Sequence, residues 1–214
     1  MVNSVTTKLA ELNLEDRFLF DETMENKEAY QAAVSILLER EIELLEPGSV
    51  NFNLLNDSCF ILIAPFDLFG KGLYRYTFEG VCRECPDLRL EDGAVKIFIN
   101  TQGTNKEEFS QEFLDFMEYI TSSTDAVAKR SASSRIKLIH EHVRKIKASE
   151  KMGVKYMQLW EEKALIREEG RAEILVKSVE TVMKNFEIDL QKACEGIGTT
   201  VEEYHRAKEG RLEI

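Results

Sequence analysis

An α+β protein is the fold class this sequence predicts, and three observations predict it. Short apolar or alternating runs crowd the first half. Helical spacing of apolar residues fills the second. Charged residues make up 31% of the chain against 43% hydrophobic, an excess that suits long solvated helices over one large core. At 214 residues the chain suffices for one ordinary domain, or a small one with a helical extension.

The elements follow in order. Residues 14–40 read as one helix, with Asn13, Glu15 and Asp16 at its start and Leu14, Phe18, Leu19, Tyr30, Ala33, Ile36 and Leu37 on its apolar side. Glu41–Leu45 and Val50–Leu54 alternate on either side of Pro47-Gly48, the pattern of a hairpin. Cys59–Ala64 is a continuous apolar run ended by Pro65, so it reads as a strand buried on both faces. Asp67–Gly72 is a turn. Leu73–Glu79 and Ala94–Asn100 are two more strands, and Thr101–Asn105 is a loop.

Helix dominates after that. Phe109, Phe113, Phe116, Met117 and Ile120 share one helical face, with Asn105 as cap and Glu108 at the capping-box position. Thr124-Asp125 opens the next helix. Ile136, Ile139, Val143 and Ile146 recur at steps of three and four, as in a coiled coil. Met152, Tyr156, Leu159, Trp160 and Ile166 form a further amphipathic stretch, punctuated by Gly170. Leu175, Val179, Val182, Met183 and Phe186 continue it. Asp189–Glu195 is a short helix closed by Gly196, and Thr200 with Glu203 boxes the last one. The organisation is an α/β core over 1–123 and a helical region over 124–214.

Charge and cysteine bound the setting. The net charge is −11, yet residues 126–155 hold nine bases and two acids, while residues 1–46 hold eleven acids and four bases. Seven of those bases, Lys129, Arg130, Arg135, Lys137, Arg144, Lys145 and Lys147, could track a phosphate backbone. They are the candidate DNA contacts; the plainer alternative is a solvated face, or one paired with the acidic N-terminal helix. Met1-Val-Asn-Ser carries no basic segment leading into an apolar run, and no window has the roughly 18 apolar residues of a membrane span. A cytoplasmic, reducing setting without disulfides is expected for Cys59, Cys82, Cys85 and Cys194.

No motif assembles a catalytic centre. Cys82-x-x-Cys85 supplies half of a four-ligand zinc site, with no His nearby. His140 and His142 are two apart on a helix and diverge; both read as solvated. Gly70-Lys-Gly72 lacks the spacing of a phosphate loop. The acids on or beside strands are Glu41, Glu43, Asp57, Asp67 and Glu79, and no metal set emerges from them. The catalytic residues are thus unassigned, with no metal and no cofactor.

Leu14–Asp21, Phe60–Glu79, Asp92–Asn105, Glu112–Tyr119, Glu150–Met157 and Ile166–Gly170, taken in that order, resemble the PD-(D/E)XK nuclease family transposases, the recombination-promoting nuclease group. The resemblance implies a small remnant of that mixed sheet and, in the intact family, magnesium-dependent DNA cleavage. It also implies a metal-binding Asp strand, a Glu-x-Gln or Glu-x-Lys strand and a helix ahead of Phe66-Asp-Leu-Phe-Gly70. Only Glu46–Leu54 occupies that interval. At about 3.3 Å per strand residue it cannot hold them. The resemblance therefore implies a degenerate, non-catalytic member with an exposed sheet edge, working by self-association, by pairing with a full-length relative, or by binding DNA. The alternative it leaves is a magnesium-dependent endonuclease with a site rebuilt from Glu41, Glu43, Asp57 or Asp67.

Overall fold

A computed structural model describes residues 8–42, 59–90 and 94–210. The chain divides into two compact units, Met1–Met152 and Gly153–Ile214.

In the first unit the expected helix over 14–40 is two helices, α1 (Arg17–Met24) and α2 (Lys27–Leu38). Asp16 caps α1 by accepting from the Phe18 and Leu19 amides. Asn26 breaks the run: it takes extended backbone and its side chain accepts from the Ala29 amide, capping α2. Asn13 does not cap; it accepts from the Ser123 amide at 2.8 Å. Glu39 ends α2 at φ 52°, and its carboxylate then accepts from the Ser110 amide at 2.8 Å.

Three strands form a mixed sheet: β1 (Cys59–Ala64), β2 (Arg75–Glu79) and β3 (Val95–Asn100), in the order β1-β3-β2. β1 runs parallel to β3 and β2 antiparallel to it. β2 is shorter than the sequence suggests, because the Tyr74 amide is taken by the Asn105 side chain. The expectation that β1 is buried on both faces is overturned. Among the described strands it stands at the edge of the sheet, with Phe60 53% exposed and Ile61 to Ile63 half-buried. Period-two alternation explains the two faces. Ile61 and Ile63 lie beside the buried Ile97 and Ile99, facing the helices. Phe60 and Phe98 lie on the other face, where Phe69 packs 5.3 Å from Phe98 and 5.2 Å from Phe78. The proposed Glu41–Leu54 hairpin falls mostly on 43–58, outside the described residues.

The helices that bury the inner face are α3 (Gln111–Thr121), α4 (Asp125–Arg130) and α5 (Ser134–Ala148). Ser110 caps α3, so the predicted Asn105–Glu108 box is corrected. Lys106–Glu108 is a separate 3-10 turn, and Asn105 is committed to Tyr74 and to Glu108 at 2.9 Å. Thr124 caps α4 as expected, and Ser133 caps α5. Ile136, Ile139 and Val143 are fully buried against Ile36, Leu37, Phe113, Phe116 and Ile120. The coiled-coil-like stripe of α5 is thus consumed inside the chain.

In the second unit, α6 (Glu150–Phe186) runs through Gly170 without a break. A helix-interior glycine costs about 1 kcal/mol relative to alanine, which the length of α6 absorbs. α7 (Leu190–Ile197) is capped by Asp189 and closed by Gly198 at φ 82°, not by Gly196. α8 (Val201–Lys208) opens with the Thr200–Glu203 capping box. Val179, Ala193, Cys194 and Tyr204 make the small core.

Candidate interaction groove

α1, α2 and β1 border an open cavity of about 1190 Å³, lined mainly by apolar side chains. Phe20 and Met24 come from α1, Tyr30, Val34 and Leu38 from α2, and Phe60, Ile61 and Ile63 from β1. Each is there for a local reason. The Asn26 break separates α2 from α1, and strand alternation sends Ile61 and Ile63 inward. Ile42 is held at the rim, its amide donating to Ser35 Oγ at 3.2 Å. At the end of β1 the cavity meets Thr101, which is 8% exposed. Its hydroxyl is buried and has no hydrogen-bond partner among the described residues. A buried hydroxyl left so costs about 1–3 kcal/mol.

The carboxylates considered for a metal are engaged apart from one another. Asp67 builds the turn before β2. It accepts from the Phe69 amide at 3.0 Å and the Tyr76 hydroxyl at 2.8 Å, and also from the Gly72 amide. Partial desolvation opposes its charge, but the bonds from Gly72, Tyr76, Phe69 and Gly70 hold its carboxyl down at about 2. Glu41 pairs with Arg135, which also holds Glu112 at 2.8 Å. Glu79 pairs with Arg89. Glu43 and Asp57 lie outside the described residues. Among the described residues no three His, Cys, Asp or Glu side chains gather as metal ligands would. Cys82 and Cys85 are free thiols, and the Cys82 thiol points to Glu84 at 3.5 Å.

The basic stretch is partly neutralised. Arg130 pairs with Glu118 at 2.6 Å, Arg135 with Glu112 and Glu41, and Arg144 with Asp125 at 4.0 Å. Lys147 is turned inward, 3.4 Å from the Ser123 carbonyl, and burial pulls its ammonium below the usual lysine value, against the attraction of Asp125. Lys129, Lys137 and Lys145 make no ion pair among the described residues.

Sequence reasoning missed a buried polar link. His140 is not solvated: its side chain is 12% exposed. Its Nδ1 lies 2.9 Å from the Tyr119 hydroxyl and its Nε2 3.0 Å from Asp125. The signal was present, since position 140 adjoins the buried Ile139 and Val143 on α5.

No helix among the described residues is long and apolar enough to cross a membrane. No family model matches the chain, no characterised protein matches it, and no solved structure matches its fold.

Proposed function

We propose that this chain acts by associating with another polypeptide, in a reducing cytoplasmic setting, and not by hydrolysing DNA. On this reading it is a degenerate, non-catalytic member of the PD-(D/E)XK nuclease and transposase group, and its three-stranded sheet is the remnant of that fold. The observation that carries the reading is the groove: an apolar cavity beside a strand that is at the sheet edge among the described residues. An apolar groove beside a sheet edge suits an extended peptide, which supplies side chains to the cavity and backbone groups to the strand. β1, Cys-Phe-Ile-Leu-Ile-Ala, carries no charge and no proline, so nothing in it opposes such pairing.

Two features weigh against chemistry on DNA. Glu41, Asp67 and Glu79 are each held by separate partners. Three of the seven candidate DNA contacts are ion-paired and a fourth is turned inward, which lowers the charge available to phosphate.

The test pairs two assays on one sample. Supercoiled plasmid in magnesium or manganese stays intact, while lysine-directed cross-linking traps a covalent dimer. Nicking abolished by Asp67→Ala overturns the proposal. So does tight DNA binding with a steep salt dependence and no cross-linked dimer.

A further inference from the structure

We draw no further inference here: the strongest candidate, the outer face of the sheet, where Phe60, Phe69 and Phe78 stand exposed around Phe98, carries nothing, because nothing in the structure shows what covers it.

Discussion

The Tyr119 hydroxyl on α3 lies 2.9 Å from Nδ1 of His140 on α5, joining two helices across the main core. Tyr119 is fully buried, so its hydroxyl has no water to turn to. Tyr119→Phe removes the bond and leaves the imidazole nitrogen without its partner, which costs about 1 kcal/mol. Urea unfolding of the two proteins measures it.

The same tyrosine sets an alkaline limit. Burial first, and the nearby Asp125 charge second, push its hydroxyl well above the ordinary value of 10.0. A group whose pKa is raised by folding contributes stability that is complete below its unfolded value and lost above it. The wild type therefore loses stability as pH rises past 10. Tyr119→Phe lacks that component, so the difference between the two narrows there. Thermal melts across that range test it.

Asp67 sets the acid limit. Its carboxyl is held at about 2 in the folded chain against an ordinary 3.8. A depressed carboxylate contributes stability above its unfolded value and loses it as pH falls through the folded one. Stability thus drops between about pH 4 and pH 2. Asp67→Asn keeps the shape but accepts more weakly from Gly72, Phe69 and Tyr76, and shows a shallower acid transition.

Gly103 has no room for a side chain. A Cβ there would sit 2.3 Å from the Tyr74 ring and 2.5 Å from the Tyr74 backbone nitrogen. Gly103→Ala therefore forces the loop away from the entry to β2. The expected cost is about 1–3 kcal/mol, read as a lowered midpoint in denaturant with an unchanged slope.

Thr101 tests the packing at the end of β1. Its buried hydroxyl has no hydrogen-bond partner among the described residues, so Thr101→Val leaves stability unchanged or raises it. Urea unfolding of the two proteins measures it, and a loss of more than about 1 kcal/mol would show that the hydroxyl is bonded.

The outline of the fold was legible where one local signal governed one element. Thr124 and the Thr200–Glu203 box start helices because a side-chain oxygen meets free amides within three residues. Asn105 and Glu108 have the same spacing, yet Asn105 is drawn off by Tyr74, a contact 31 residues away that spacing does not encode. Asn26 shows the converse: the apolar rhythm runs straight through it, and only the Asn side chain resets the backbone. The burial of Cys59–Ala64 was overestimated because an apolar run is ambiguous between a central strand and an edge. The groove was not legible, since α1, α2, β1 and Thr101 reach it from separated segments. Of the basic stretch, composition gave the charges but not their partners: Arg135 meets Glu41 94 residues away.

Association in place of catalysis is tested most directly by the mass of the intact chain in solution. Light scattering on the reduced protein at micromolar concentration, without added metal, is predicted to give twice the monomer mass. A mass equal to one chain across the whole concentration range, with plasmid nicked once magnesium is added, would contradict the account.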